Sequence, residues 1–288
     1  MPLFKSSNTL HSPKYIEKRR KKIFSIILLA FFLIAALSVS TILFFRSPYV
    51  EISSVNVEGS SLVSKDEIVS NVMSSLSGSY MHLIPFTNIF FVPKDNIRES
   101  LSDKFSEIKN FSIRRTGLKE ITISLEERIP SAIACSGFRE DPTTENCYFS
   151  DNNGYIFKEI STSTRSAGEK YNLYYIPTDK GEVTTGQNFI EEKRFRELEN
   201  FLSGVIKGGL NPLGLLIGED GEYEMYVENI TGENEATVYF DDKLSFDNTL
   251  SNLLTFWEST VKKGTRNLET PFEYINLRFG NTIYYSTQ

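Results

Sequence analysis

We predict an α+β protein that begins with a single transmembrane helix and continues into two mixed domains. Three features of the sequence lead to this prediction. Residues 23–45 form a run of 23 residues without a charge. The remaining chain changes repeatedly between the period-two alternation of strands and the three-to-four spacing of amphipathic helices. Aromatic residues make up 13% of the chain, a content that favours sheets over disorder.

The apolar run 23–45 is long enough to cross a membrane. At about 1.5 Å per residue, a helix of this length reaches across the ~30 Å hydrocarbon core of a bilayer. A buried core helix would seldom be apolar on every face. A cleavable signal peptide is the other alternative, because Ser38–Ser40 resembles a small-x-small cleavage site, but the run stays apolar through Phe45. We therefore predict an uncleaved membrane anchor that contacts the lipid bilayer.

The flanking charges predict the orientation of this anchor. Residues 1–22 hold seven basic side chains and one acidic side chain, a balance of +6, whereas the far side begins with Arg46 alone. The positive-inside rule places this tail in the cytoplasm and the rest of the chain outside. The basic run 18–22 could instead be a nuclear-localisation or nucleic-acid patch, but its position against the apolar run favours the topogenic role. Residues 1–13 are predicted to be disordered.

The charge of the remaining chain excludes one class of partner. The whole chain carries −6, so residues 47–288, without the tail and Arg46, carry −13. Such an acidic ectodomain has no affinity for nucleic acid or for anionic headgroups. Its 242 residues are enough for two small domains.

The first predicted domain, 46–129, reads as a strand, two helices and a hairpin. Each helix has apolar residues four positions apart on one face, and the strands alternate apolar and polar residues. The predicted elements are a strand at 50–57, helices that begin near Ser64 and Pro93, and hairpin strands at 108–114 and 120–126. Pro130 then ends this domain, because proline cannot donate to a strand ladder, and Arg128 is expected to pair with a nearby acid.

The second predicted domain, 130–288, is a mixed α+β unit with an extended antiparallel sheet. Glycine, asparagine and proline turns separate its strand signals. The predicted elements are strands at 132–135, 147–157 (bent at 151–154), 213–217, 223–228 and 235–240, helices at 191–206 and 246–262, and a hairpin of 272–279 with 282–286. Trp257 is predicted to lie in the core.

The chain holds two cysteines, Cys135 and Cys147, both beyond the apolar run. An extracytoplasmic compartment permits disulfides, and the two residues lie on predicted neighbouring strands. We predict a Cys135–Cys147 disulfide; two free thiols are the alternative.

The sequence offers little for catalysis. The chain has two histidines, His11 in the predicted cytoplasmic tail and His82 in a polar loop, so we expect neither a histidine-based catalytic triad nor a two-histidine metal site outside the membrane. The sets Ser106-x-x-Lys109 and Ser150-Asp-Asn152 match two of the three motifs of penicillin-binding enzymes, but Lys263-Gly-Thr265 reverses the third. We predict that the protein is not an enzyme and uses no metal and no cofactor.

Four stretches, taken in order behind a basic tail and one anchor, carry a resemblance to a known family. They are Ile52-x-x-Val-x-Val-x-Gly59, Ser64 with Glu67 and Ile68, Ile121-Thr-Ile-Ser-Leu-Glu-Glu-Arg-Ile-Pro130, and Tyr274-Ile-Asn-Leu-Arg-Phe279. Together they resemble the FtsQ/DivIB family of bacterial cell-division proteins. Asn276 stands where that family commonly has Asp, and the segment 135–147 looks like an insertion.

The resemblance implies a fold, a location and a function. It implies that 46–129 is a POTRA domain and that 130–288 is the family's β domain. It also implies a single-pass protein of the cell (inner, cytoplasmic) membrane at the division septum. Such a protein acts as a divisome scaffold in septum formation, and its partners are small coiled-coil proteins similar to FtsB/DivIC and FtsL.

The resemblance also places partner binding at the C-terminal hairpin. If the last strand lies at the sheet edge, its unpaired backbone groups can accept a partner's strand. The implied partner-binding residues are Arg278, Phe279, Asn281, Thr282, Ile283, Tyr284 and Tyr285. The plainer alternative is that Ile283 and Tyr285 are core residues and Tyr284 is a solvated aromatic.

Two other functions remain open from the sequence. A POTRA domain can belong to a secretion or translocation assembly, although those relatives usually carry tandem copies that lead to a membrane β-barrel. A membrane-anchored cell-wall enzyme is the less favoured alternative.

Overall fold

The computed structural model describes most of the chain as a mixed α+β protein. The described residues are 13–137, 146–160, 171–177, 183–229, 235–262, 271–280 and 282–287. They contain five α-helices: α1 (Pro13–Phe45), α2 (Lys65–Ser75), α3 (Lys94–Lys104), α4 (Glu192–Lys207) and α5 (Phe246–Trp257), the last followed by a π-helical turn at Glu258–Lys262. Most of the predicted disordered tail, residues 1–12, lies outside the described residues.

Helix α1 is long and apolar enough to cross a membrane, and its apolar window is not buried by other parts of the chain. Two of the four hydroxyl groups inside the apolar run donate to the helix backbone. Ser38 Oγ donates to the Ile34 carbonyl at 2.9 Å and Thr41 Oγ1 donates to the Leu37 carbonyl at 2.8 Å. These hydroxyls therefore do not oppose burial in hydrocarbon. The helix begins at Pro13, so the basic residues 18–22 are helical.

The described chain divides into two compact units. The first contains the residues up to Glu58, Lys65–Ser100 and Ser112–Ser124; the second contains Gly59–Ser64, Leu101–Phe111 and all residues from Leu125. The limits predicted for the two domains stay predictions.

The first part of the chain after α1 has the predicted strand, two helices and hairpin in order, and it adds a short pair of strands between the helices. Its strands are β1 (Ser54–Glu58), β2 (Ser79–Tyr80), β3 (Ile84–Pro85), β4 (Ile108–Arg115) and β5 (Glu120–Glu127). β1, β5 and β4 form a three-stranded sheet in that order, and β1 runs parallel to β5 from the pair Ser54 and Glu120 to the pair Glu58 and Ser124. The predicted apolar positions of α2, Ile68 and Val72, are buried.

The Glu127 carboxylate organises the loop at 61–63, which belongs to the same unit. Its Oε1 accepts N–H hydrogen bonds from Ser61 at 2.9 Å, Leu62 at 2.8 Å and Val63 at 3.3 Å, and its Oε2 accepts the Ser61 hydroxyl. Partial burial raises the pKa of Glu127, but the Ser61 hydroxyl and the three N–H groups outweigh it, so the pKa lies below its ordinary value. The loop thus favours the charged carboxylate.

Glu127→Gln is expected to lower the free energy of unfolding by about 1 kcal/mol, a value that allows for solvent screening at this partly exposed site. Because the folded pKa is depressed, the stabilisation is present above the unfolded value near 4.5 and is lost as the pH falls through the folded pKa. Urea unfolding of the full chain at pH 7 and at pH 3 measures this. The difference between the wild type and Glu127→Gln should be smaller at pH 3 than at pH 7; an equal difference at both pH values would contradict the account.

The second unit contains a nine-stranded sheet with the order β14-β13-β12-β11-β10-β9-β6-β7-β8. Its strands are β6 (Ala132–Ser136), β7 (Cys147–Ser150), β8 (Ile156–Glu159), β9 (Asn172–Ile176), β10 (Pro212–Ile217), β11 (Glu222–Glu228), β12 (Glu235–Asp241), β13 (Phe272–Phe279) and β14 (Thr282–Thr287). These bounds agree with most of the predicted strands; the bent strand predicted at 147–157 is divided into β7 and β8, and β9 had no predicted bounds.

The sheet is mixed, which corrects the prediction of an extended antiparallel sheet. β6 with β9, β9 with β10, and β12 with β13 are parallel pairs. Two of these pairs are joined through a helix: α4 connects β9 to β10 and α5 connects β12 to β13. A parallel pair needs such a crossover, because a tight turn reverses the chain.

Helices α4 and α5 cover one face of this sheet. The predicted inward residues of α4 are buried, among them Phe195, Leu198 and Leu202, and Trp257 of α5 is buried in the same cluster. Small residues set the distance between the helices: a Cβ at Gly204 would lie 2.3 Å from Leu250 and one at Gly208 would lie 2.1 Å from Leu254. This face is the main hydrophobic core of the unit.

Arg128 and Asp151 form a buried ion pair within the second unit. The Arg128 guanidinium lies 3.7 Å from the centre of the Tyr155 ring, and its Nε donates to the Ser106 carbonyl at 3.1 Å. Asp151 Oδ1 accepts the N–H groups of Asn153 at 2.9 Å and Tyr155 at 3.2 Å. The expectation that Arg128 pairs with a nearby acid agrees with this geometry.

The structure joins Cys135 of β6 to Cys147 of β7 by a disulfide. The two residues are directly opposite each other in the antiparallel pair. They belong to a second apolar cluster that includes Ile133, Tyr175 and Leu216.

Reducing this disulfide is expected to destabilise the second unit by about 3 kcal/mol, because the bond closes a loop across a sequence separation of 12 residues. Alkylation under non-reducing denaturing conditions should leave the mass unchanged. Addition of two alkyl groups would show free thiols and contradict the assignment. The double variant Cys135→Ala with Cys147→Ala, compared with the reduced wild type, separates loss of the bond from loss of packing.

Candidate functional site

Strand β14 is the edge of the nine-stranded sheet at the end of the chain. It pairs with β13 through the pairs Phe272 with Thr287, Ile275 with Tyr285, Asn276 with Tyr284, and Phe279 with Thr282. In the sheet order it has β13 on one side and no strand on the other, among the described residues. One row of its backbone N–H and C=O groups therefore faces outward, as a partner strand requires.

The hairpin geometry indicates which N–H groups face outward. Phe279 and Thr282 flank a two-residue loop whose first residue, Gly280, has φ +65°. In such a loop the N–H of the second flanking residue, Thr282, points to the carbonyl of the first. The two irregularities in this ladder, between Phe272 and Tyr274 and between Asn276 and Phe279, both fall in β13, so β14 itself alternates regularly. The N–H of Ile283 therefore points away from the sheet.

The side chains of β14 lie on two faces. Ile283 packs against the main core, and Tyr285 contacts the rings of Phe256 and Phe272 at centroid distances of 5.2 and 5.8 Å. Tyr284 lies on the opposite face, where 54% of its surface is exposed. The alternative of inward Ile283 and Tyr285 and outward Tyr284 matches the directions of the side chains, but Tyr285 is 38% exposed and is not a core residue. The edge position adds a row of outward-facing backbone groups.

Beside the edge, the outer face of the sheet forms an open aromatic groove of about 490 Å³. The neighbours Val238 and Ile275 point into the core, so the groove residues point the other way. Phe279, 57% exposed, meets Tyr284 edge to face with a centroid distance of 5.1 Å. We call this the edge groove; its lining residues are Tyr239, Tyr274, Asn276, Phe279 and Tyr284.

Arg278 is engaged within the chain beside the edge groove. Its Nη1 lies 3.2 Å from Glu222 Oε1, its Nε donates to Asn276 Oδ1 at 3.3 Å, and its guanidinium lies 5.3 Å from the Tyr239 ring centre. These contacts fix the rim of the groove. A role for Arg278 in binding would thus include positioning Asn276 and Tyr239.

The structure brings most of the predicted partner-binding residues together at this hairpin, and Asn281 lies outside the described residues. It adds Tyr239 and Tyr274, which the sequence analysis did not assign to the site. A signal existed for both: they occupy outward positions of alternating strands, where polar residues are usual. Only the pairing of β12 with β13 brings Tyr239 and Tyr274 together in one groove.

No protein-family model matches this chain, and a search of the curated proteins finds no match.

Proposed function

We propose that this protein is a bitopic scaffold of the bacterial divisome that binds other division proteins through its extracytoplasmic part. The observation that carries the proposal is the edge strand β14, which combines outward backbone groups with the exposed aromatic residues of the edge groove. Backbone hydrogen bonds supply affinity for an added strand, and pockets for alternate side chains supply specificity.

The membrane helix and the sequence resemblance support the remaining parts of the proposal. Helix α1 anchors the chain with residues 1–22 in the cytoplasm and the bulk outside, as its charge asymmetry predicts. The proposed partners are FtsB/DivIC-like and FtsL-like coiled-coil proteins. An element order of strand, two helices and hairpin after the anchor supports a POTRA domain.

The positions of two serines, Ser106 and Ser150, favour binding over catalysis. Ser106, which a penicillin-binding enzyme would use as its nucleophile, donates its hydroxyl to the Phe157 carbonyl at 2.9 Å. Ser150 is fully buried in the sheet. A hydroxyl must reach its substrate to act as a nucleophile, so these positions suit a structural role.

Localisation in the native host tests the proposal. The full chain, fused at its cytoplasmic tail to a fluorescent protein, should form a ring at midcell in dividing cells. A uniform envelope distribution would contradict the proposal and favour a secretion assembly, and turnover of a peptidoglycan-like substrate by the purified chain would favour an enzyme.

A further inference from the structure

The segment Tyr80–Phe91, which we call the juxtamembrane loop, is attached to the end of α1. Asn88 is buried, and its Nδ2 donates to the carbonyl of Phe45, the last residue of the helix, at 2.6 Å. The Phe45 ring meets Phe91 and Phe90 at centroid distances of 5.0 and 6.2 Å. All these residues belong to the first unit. The loop is therefore held where the apolar helix ends.

Apart from His82, the exposed side chains of the juxtamembrane loop are large and apolar. Met81 is 88% exposed, and five further large apolar residues near the helix end are exposed as well. They are Tyr49, Tyr80, Leu83, Phe90 and Phe91. The sequence contains no Asp, Glu, Lys or Arg from Ile68 to Pro93. A solvated loop would seldom combine these two features.

The backbone at the loop tip does not follow ordinary turn chemistry. β2 and β3 form a short hairpin, and its tip residues Met81 and His82 have φ values of +50° and +61°. Glycine and asparagine normally occupy such left-handed positions. The long apolar side chain of Met81 does not stabilise this turn. Its presence at the tip is therefore more consistent with a contact outside the protein.

We propose that the juxtamembrane loop inserts its apolar tip into the interfacial layer of the bilayer that α1 spans. This inference rests on the proposed membrane anchor. The occupant is lipid because the loop is fastened to Phe45, the residue at which the apolar run reaches the headgroup region, and aromatic residues favour that layer. The acidic charge of the ectodomain excludes headgroup attraction as the cause, so the insertion is apolar and does not require anionic lipid.

The test uses the full chain in phosphatidylcholine nanodiscs, with a fluorophore on Met81→Cys. The two native cysteines are joined to each other, so the new thiol is the reactive one. Asp66→Cys is the matched control. Asp66 lies in the first turn of α2, which follows the C-terminal end of β1, whereas the N-terminal end of β1 follows the anchor. Iodide quenches from water and a nitroxide lipid quenches from the bilayer.

Quenching by iodide should be several-fold weaker at position 81 than at position 66, and quenching by the nitroxide lipid several-fold stronger. Adding Leu83→Asp should move the quenching at position 81 toward the values of position 66, whereas Ser70→Asp, an equal charge on α2, should not.

If position 81 behaves like position 66 while the chain stays with the discs, the loop inference is wrong and the anchor stands. Protection from both quenchers would show a protein partner instead of lipid and also overturn it. A chain that leaves the discs contradicts the anchor and the loop together.

Discussion

Arg128→Ala is expected to lower the free energy of unfolding by about 3–4 kcal/mol. The side chain of its partner Asp151 is only 3% exposed, so the substitution leaves a carboxylate that is buried and without its counter-charge. The stacking of the guanidinium on Tyr155 is lost as well. Urea unfolding of the full chain in detergent, followed by the fluorescence of its single tryptophan, Trp257 in the second unit, measures the change.

The double variant Arg128→Ala with Asp151→Asn separates the charge effect from lost packing. Asparagine retains an Oδ1 for the N–H groups of Asn153 and Tyr155, but it carries no charge. It should recover more than half of the lost stability. A double variant as unstable as Arg128→Ala would show that the buried charge is not the cause.

Ile283→Pro is expected to weaken binding of the proposed FtsB/DivIC-like partner at least about tenfold, which corresponds to about 1.4 kcal/mol. Proline removes the outward N–H of Ile283, and at an edge strand it does so without deleting a bond inside the sheet. The matched control is Ile283→Ala, which also removes the side chain that packs on the core but keeps the N–H. Titration of the purified full-length variants with the partner gives the affinities.

The comparison between these two variants decides the role of the backbone. The alanine variant should stay within about threefold of the wild type, because the Ile283 side chain faces the core and not the partner. An equal loss of affinity in both variants would show that the cause is the lost packing of the Ile283 side chain. Unchanged binding of a folded Ile283→Pro variant, together with loss of binding from surface changes in residues 50–129, would place the partner-binding site within residues 50–129.

Local patterns predicted the elements well because each pattern reports burial along one segment. The three- and four-residue spacing of Phe195, Leu198 and Leu202 predicted α4, and the alternation in 235–240 predicted β12. The parallel pairs were missed because alternation shows that a strand has a buried face but not which strand lies beside it. That order depends on the crossovers through α4 and α5.

The contacts that position the functional regions were the hardest to predict. Glu127 meets Ser61 across 66 residues and Asn88 meets Phe45 across 43 residues, and neither pair carries a local sequence signal. The edge groove likewise joins residues from β12, β13 and β14. Such sites follow from strand order, whereas the candidate edge strand followed from the resemblance of residues 274–279 to a family motif.

Photocrosslinking in dividing cells of the native host tests the central proposal most directly. A photoreactive amino acid replaces Tyr284, whose side chain is exposed beside the edge groove, and in a second strain it replaces the exposed Asp66 of the first unit. The account predicts a crosslink from position 284, and not from position 66, to a small single-pass coiled-coil division protein. A crosslink to such a protein from position 66 alone, or crosslinks from position 284 only to proteins outside cell division, would contradict it.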